Sequence, residues 1–431
     1  MDPLVLSGIL FAAVFLLMLA GLGVAVTIIL VSVAGFYLLK GNPGLVIYVP
    51  YNTVDSFVLT AIPLFIFMGE VLVQCGISEM LYRGVSKWLA WAPGGLLHAN
   101  IGACGIFSAI SGSSVATAAT IGTIAIPALE ERGYDRRLSF GSLAGGGTLG
   151  ILIPPSITMI IYGMLASVSV GRLFAGGVIP GLLFIVFFMT YIGLRCLRNP
   201  SLAPKEEKFS LKTALLSSKD FWPMVLLIVV VLGGIFGGVV TPTEAAALGS
   251  FAALVMAVCF RPKQFWTILR KSLASSLETT CMVMFIVVSA YMFSALLSAL
   301  RAPEQLVILV ERSGLSGLAV LMLIYLLYLF LGCFIDVTSA IVMTSGAVLP
   351  LVSSFGYDLV WFGVVLVILV EVGLLTPPMG LNLFVIQGIS KRPLNEVVIG
   401  AWPFFTIEIF GIGLFTAFPM LILWLPTLFY G

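Results

Sequence analysis

Two carboxylates stand in stretches otherwise too apolar to hold a charge. Asp336 lies in Cys333-Phe334-Ile335-Asp336-Val337-Thr338-Ser339, and Glu371 lies in Leu369-Val370-Glu371-Val372-Gly373. A carboxylate within a membrane is costly unless paired or solvated, so each marks a candidate site. Small polar residues, Gly and Pro recur nearby. Ser111-Gly112-Ser113-Ser114 is followed by Thr117 and Thr120, and Gly145-Gly146-Gly147-Thr148-Leu149-Gly150 runs on to Pro154-Pro155. Thr376-Pro377-Pro378 is followed by Asn382. Pro breaks helices and Gly permits unusual dihedrals, so the Gly/Pro runs are expected to unwind and free carbonyl oxygens. Carbonyls and hydroxyls are hard oxygen ligands suited to Na⁺, and half-helix C-terminal ends add negative partial charge. Helix N-termini at the same turns point positive partial charge at a common region. With Ser111, Thr117, Thr148, Ser339 and Asn382 they suit an organic anion as substrate. Binding of one charge then favours the other, which couples two ligands without covalent chemistry. The expected activity is therefore transport, not an enzymatic reaction.

The elements that position these groups follow from composition. The chain has 431 residues, of which 60% are hydrophobic and 9% charged, and its mean hydropathy is +1.18. A soluble domain carries about 25% charged residues, so this chain cannot cover a globular surface with polar groups. Lipid needs no such cover. The net charge of +2 gives no reason to expect nucleic acid as a partner. The six cysteines are scattered without a CxxC pair, which points to neither a disulfide framework nor a zinc site. The first residues lack a basic start and a small-residue cleavage site, so a retained transmembrane helix is expected from Leu4 onward.

Stretches of about 20 apolar residues fall near 4–21, 23–39, 50–76, 177–195, 223–240, 243–260, 278–300 and 396–426. Two long apolar stretches, 137–168 and 358–390, are interrupted by Gly and Pro and read as broken helices. Two more, 95–131 and 318–355, carry polar residues at their midpoints and read as re-entrant helical hairpins. Irregular backbone at membrane depth belongs inside protein or beside a water-filled cavity. Segments 78–92 and 302–313 read as amphipathic helices along the interface. Arg195, Arg198, Lys205, Lys208, Lys212 and Lys219 crowd one loop, and Arg261, Lys263, Arg270 and Lys271 another. The positive-inside rule turns both toward the cytoplasm, together with Arg132, Arg136, Arg137, Lys391 and Arg392.

The spacing contains an internal repeat. Gly133-Tyr134-Asp135 recurs as Gly356-Tyr357-Asp358, an offset of 356 − 133 = 223. Pro127 and Pro350 share it, as do Gly150 and Gly373, and Pro154-Pro155 and Pro377-Pro378. The expected organisation is a first repeat over 1–199, a cytoplasmic linker over 200–222 and a second repeat over 223–431. Each repeat has five crossings. Five is odd, so the second repeat is expected upside down relative to the first. Such inverted repeats carry their sites near the midplane in secondary transporters. The expected fold is therefore an all-α polytopic membrane protein.

Other polar residues have structural readings. Asp135 and Asp358 read as N-caps or first-turn charges, and Glu70 and Glu244 as interface or capping groups. His98 reads as a hydrogen-bonded structural group, and Arg172 and Arg301 as snorkelling side chains. The Gly145–Gly147 run is no phosphate loop, because no GK[ST] follows.

Ser111-Gly112-Ser113-Ser114-Val115-Ala116-Thr117, Gly133-Tyr134-Asp135, Gly150-Ile151-Leu152-Ile153-Pro154-Pro155-Ser156 and Thr376-Pro377-Pro378-Met379-Gly380-Leu381-Asn382 resemble the large membrane subunit of tripartite ATP-independent periplasmic (TRAP) transporters. The resemblance runs over essentially the whole chain. It implies a bacterial or archaeal cytoplasmic membrane protein that works with a small four-helix membrane subunit and a soluble periplasmic substrate-binding protein. It implies Na⁺-driven uptake of carboxylates such as C4-dicarboxylates, 2-oxo acids or sialic acids, by an elevator motion. No four-helix segment stands before Met1, so the small subunit is expected as a separate chain. Carried over by position, one Na⁺ site falls at Ser113, Ser114, Gly147 and Pro154, and the other at Asp336, Thr338, Gly373 and Thr376. The alternatives are a stand-alone Na⁺-coupled carboxylate symporter or antiporter of the same architecture, a channel and, more remotely, an intramembrane protease. For the protease, His98 lies near the membrane boundary and Asp336 lacks an aspartate partner.

Overall fold

In a bilayer every backbone N–H and C=O must be satisfied within the protein, which leaves helices as the local solution for apolar segments. The computed structural model describes residues 3–40, 44–204, 210–378 and 380–431, and among these it contains helices and no strand. Lys205, Lys208 and Met379 lie outside the described residues.

The first half comprises α1 (Pro3–Leu19), α2 (Val24–Gly35), α3 (Gly44–Val54), α4 (Ala61–Gln74), α5 (Ile77–Leu89), α6 (Leu96–Ser111), α7 (Ser114–Glu131), α8 (Arg136–Leu152), α9 (Ile157–Leu165) and α10 (Val170–Arg198). A short α11 (Leu211–Ser217) follows in the linker. The second half comprises α12 (Trp222–Phe236), α13 (Pro242–Phe260), α14 (Phe265–Ala299), α15 (Ala302–Arg312), α16 (Gly317–Gly332), α17 (Val337–Ser354), α18 (Leu359–Leu374), α19 (Leu381–Ser390), α20 (Leu394–Ala417) and α21 (Met420–Tyr430). Six helical segments among the described residues are long and apolar enough to cross a membrane, and bent pairs add further candidates.

The 223-residue offset reappears in the element boundaries. It carries both ends of α7 onto both ends of α17, and the start of α8 onto the start of α18. The caps correspond as well. Ser113 and Asp336 cap α7 and α17, each accepting from the backbone N–H three residues on, at 3.4 and 3.0 Å. Asp135 and Asp358 cap α8 and α18 in the same manner. These side chains fill donors that the first helical turn leaves open.

Three expectations need correction. The run from Gly145 to Gly150 is not unwound, because α8 is helical through Leu152 and the break is confined to residues 153–156. The glycines serve close packing instead. A Cβ at Gly147 would lie 2.8 Å from the Ala118 Cβ, and one at Gly150 would lie 2.5 Å from the Ser113 carbonyl oxygen. The apolar stretch near 278–300 belongs to a helix that starts at Phe265 and takes in Arg270 and Lys271. The stretches 50–76 and 396–426 are each interrupted, before the short turn at Phe57–Thr60 and at Phe418. The amphipathic segments form α5 and α15 as expected.

The basic residues around Arg136 and Arg392 meet at Glu130. Arg392 lies 3.2 Å from Glu130, which also pairs with Arg136 at 3.8 Å. Asp135 N–H donates to the Leu202 carbonyl in the linker, and Arg83 pairs with Asp220 at 3.6 Å.

Candidate functional site

The tip of the first hairpin is a knot of hydroxyls. The Ser111 hydroxyl lies 2.7 Å from the Thr117 hydroxyl and 3.3 Å from the Ser113 carbonyl. Gly112 turns the chain in the left-handed region, φ +58°, and a Cβ there would sit 3.0 Å from the Pro155 carbonyl oxygen. The turn therefore rests directly on the α8–α9 break. Ser113, Ser114 and Gly150 are brought together, with Pro154 buried one residue before the carbonyl that Gly112 meets.

The second hairpin meets its own broken helix at glycine contacts. A Cβ at Gly373 would lie 2.5 Å from the Gly332 Cα near the end of α16. Asp336 and Thr338 are half-buried, and Oδ2 of Asp336 accepts the N-cap hydrogen bond from Ser339 N–H. The Thr376 hydroxyl donates to the Val372 carbonyl at 2.7 Å. Ser339 is fully buried, and its hydroxyl has no hydrogen-bond partner among the described residues. Helix α18 ends at Leu374 and α19 begins at Leu381, and both the Pro377-Pro378 bond between them and the Pro154-Pro155 bond are cis.

The two halves interlock across these breaks. Helix α7 packs on α19, and α17 packs on α9, so each hairpin's second helix lies against the half-helix beyond the opposite break. Ser114 donates to Glu371 Oε1 at 3.4 Å and lies 3.3 Å from the Thr148 carbonyl. Asn382 Nδ2 donates to the Ala144 carbonyl at 3.2 Å. A Cβ at Gly147 would lie 3.1 Å from that same Nδ2. Thus Asn382, a second-half residue by sequence, sits beside Ala144 and Gly147 of the first half. Tyr162 of α9 donates to the Leu359 carbonyl of α18 at 2.7 Å.

Glu371 is 2% exposed. A second carboxylate joins it. Glu408 of α20 is likewise 2% exposed and hydrogen-bonds through Oε1 to the Thr148 hydroxyl. None of the ion pairs found among the described residues involves either of them. The sequence reading missed Glu408, although the signal was present: a carboxylate 12 residues beyond Glu396, in the middle of an apolar helix of 24 residues.

The remaining polar residues take structural roles. His98 hydrogen-bonds the Pro93 carbonyl at 2.9 Å, and Glu244 completes a capping box with Thr241. A separate cavity of about 870 Å³ is lined by Tyr291, Ser294, Ser298, Glu304, Ser345 and Ser354 among others, between α14, α15 and α17. None of the sequence-derived site residues lines it.

A family model described as "Tripartite ATP-independent periplasmic transporter, DctM component" matches residues 11–421. The C4-dicarboxylate TRAP transporter large permease protein DctM of Vibrio cholerae is 33% identical over 449 residues, covering 98% of each chain. The sialic acid TRAP transporter large permease protein SiaM of the same species is 31% identical over 96% of this chain and 97% of its own. The isethionate TRAP transporter permease protein DctMQ of Oleidesulfovibrio alaskensis is 32% identical over 92% of this chain and 62% of its own. Among solved structures, the Alcanivorax borkumensis YdaH transporter has a TM-score of 0.62 over 85% of this chain and 86% of that one. At 12% identity this is a likeness of fold alone.

Proposed function

The chain belongs to the DctM family of tripartite ATP-independent periplasmic transporters, as a multi-pass large permease, and from that premise we propose that it carries out Na⁺-coupled uptake of a small organic anion. The anion class is that of C4-dicarboxylates, 2-oxo acids or sialic acids, which agrees with the relatives named for C4-dicarboxylate and sialic acid. A soluble periplasmic binding protein delivers the anion, and a small four-helix membrane subunit stands beside this chain in the cytoplasmic membrane. The longer relative named DctMQ, of which this chain spans 62%, supports such a companion.

The observation that carries the reading is the Ser114–Glu371 contact. It brings the tip of the first hairpin against the broken helix of the other half. A transporter that binds its ligands between two halves needs such a junction. The equal spacing of caps and helix starts over 223 residues supports two repeats of one design, inverted because each holds an odd number of crossings. In this reading the hairpins and broken helices move as an elevator against α1–α5 and α12–α15. Na⁺ sits at Ser113, Ser114, Gly147 and Pro154 at one tip, and at Asp336, Thr338, Gly373 and Thr376 at the other. Ser111, Thr117, Thr148, Ser339 and Asn382 face the anion.

The test is uptake of labelled anions into proteoliposomes that contain the chain and its small subunit. A Na⁺ gradient, the binding protein and ATP are each supplied or withheld. Uptake that needs Na⁺ and the binding protein but not ATP is expected. Uptake indifferent to Na⁺, or passive flow in both directions without a gradient, would overturn the proposal.

A further inference from the structure

We propose that the chain binds two phospholipid acyl chains, one beside each hairpin, in a matched pair of apolar cavities. The first, of about 460 Å³, lies between α5, α6, α10 and α12, with Val85, Ile106, Leu182 and Val229 among its walls. The second, of about 440 Å³, lies between α1, α15, α16 and α17, with Phe15, Val310, Leu323 and Ala347 among its walls. The 223-residue spacing carries α5 and α6 onto α15 and α16, and α1 onto α12, to within a few residues. Each cavity therefore occurs at the same place in its half, between the interfacial helix, the first helix of the hairpin and the first span of the other half. Protein interiors pack densely and leave few voids. Two voids of nearly equal size at equivalent places belong to the plan of the fold, not to a local packing fault.

Hydrocarbon is the occupant this lining accepts. Thr344 is the one polar side chain in the second wall, and its hydroxyl is already engaged with Tyr328 and the Ala340 carbonyl. In the first wall, Trp88 gives its N–H to the Ser218 hydroxyl at 3.0 Å. Water entering either space would find few polar groups to hold it, and apolar cavities of this kind stay dry. Both open toward the bilayer, the first past exposed Leu182 and Val229, the second past exposed Leu323 and Leu327. Along α16 the lining runs from Val320 to Leu331, 331 − 320 = 11 residues. That is roughly 16 Å of helix, against about 15 Å for half of a hydrocarbon core of about 30 Å. An acyl chain from one leaflet matches that length.

The headgroup has a place as well. Helix α5 carries Lys87 in its last turn, next to Trp88, and α15 carries Arg312 in its last turn, two residues beyond Val310. Both bases are exposed. A lipid phosphate pairs with such a group at the interface, and Trp favours headgroup level. At the other end, the linings reach Ala109 and Leu331, just before Ser111 and Gly332 close α6 and α16. A seated chain thus packs along each hairpin almost to the end of its first helix. The two cavities share no helix. Lipid bathes both, whereas one small membrane subunit would have to reach two separate sets of helices. The sites hold for any transported anion and whether or not Na⁺ drives the cycle.

The test is native mass spectrometry of the full chain, alone and with its small membrane subunit, after delipidation in detergent and titration with phosphatidylglycerol. Ala109→Phe fills the first cavity and Ala347→Phe the second. The wild type is expected to retain one phospholipid more than either single variant and two more than the double variant, with or without the small subunit. Equal counts in wild type and double variant overturn the proposal. So does a difference that disappears when the small subunit is present, because protein and not lipid would then cover the openings. Lys87→Gln and Arg312→Gln change exposed side chains only, and they decide if a filled variant fails to fold. Each should weaken phosphatidylglycerol retention several-fold at one site, and retention unchanged in the double variant overturns the proposal.

Discussion

The Ser114 hydroxyl lies 3.4 Å from Oε1 of Glu371, a residue 257 positions later in the chain. Nothing in local sequence joins them. They meet because Gly150 lets the hairpin tip settle onto α8 and because α18 packs against α8 from the other half. Ser114→Ala removes the side-chain donor to a carboxylate 2% exposed. Loss of a partner to a buried group costs about 1–3 kcal/mol. A lower thermal midpoint in detergent is expected, with a larger fall for Ser114→Ala than for Ser86→Ala, whose hydroxyl is exposed. Equal midpoints would show that this contact contributes nothing.

Helices α8 and α20 approach to backbone contact at one point. A Cβ at Gly141 would lie 2.0 Å from the Gly400 carbonyl oxygen. Gly141→Ala must therefore push the helices apart, at about 1–3 kcal/mol for overpacking. At Gly233, inside α12, a Cβ would meet nothing within 4 Å. Gly233→Ala should be neutral or gain up to about 1 kcal/mol from helix propensity. Thermal unfolding of the two variants side by side checks the contrast, which reverses if packing at Gly141 is loose.

Asp336 allows capping to be separated from charge. Its carboxylate accepts from Ser339 N–H at 3.0 Å, and asparagine caps about as well as aspartate. Asp336→Asn should leave the thermal midpoint nearly unchanged while Na⁺ dependence of uptake weakens several-fold. Asp336→Ala should add a stability loss of about 0.5–2 kcal/mol for the missing cap. Wild-type Na⁺ affinity in Asp336→Asn would remove Asp336 from the proposed Na⁺ site.

Glu130 meets both Arg136 and Arg392. All three side chains are more than a third exposed or at that limit, at 52% and 37% for the arginines and 35% for Glu130. Exposed pairs contribute about 0–1 kcal/mol and weaken with salt. Glu130→Gln should shift stability by less than about 1 kcal/mol, with the difference vanishing in high salt. A larger loss that survives high salt would assign Glu130 a role beyond a surface ion pair.

Much of the molecule was legible along the chain because the relevant physics is local or periodic. Apolar length predicted helices, Pro-Pro pairs marked the two breaks, and aspartates before helical runs marked the caps. The 223-residue spacing anticipated matching helix boundaries, which α7 and α17 show at both ends. The family resemblance rested on contiguous motifs for the same reason. The glycine run misled the local reading. Its residues permit unwinding, but whether they unwind depends on what packs against them, and Phe404, Ala118 and Ser113 approach Gly145, Gly147 and Gly150 so closely that a larger side chain there would clash.

Composition, spacing and helix-breaking residues by themselves determined that this protein is a multi-pass helical bundle with two matched hairpins and two interrupted helices. Only the tertiary structure decided which polar groups meet. It set one oxygen of Asp336 on a helix cap, carried Asn382 across to Gly147, and brought Glu408 to Thr148. The physical reason is range. Helix propensity and caps act over a few residues, whereas the meeting of Thr148 with a side chain 260 positions away depends on how three packed helices are shaped against one another.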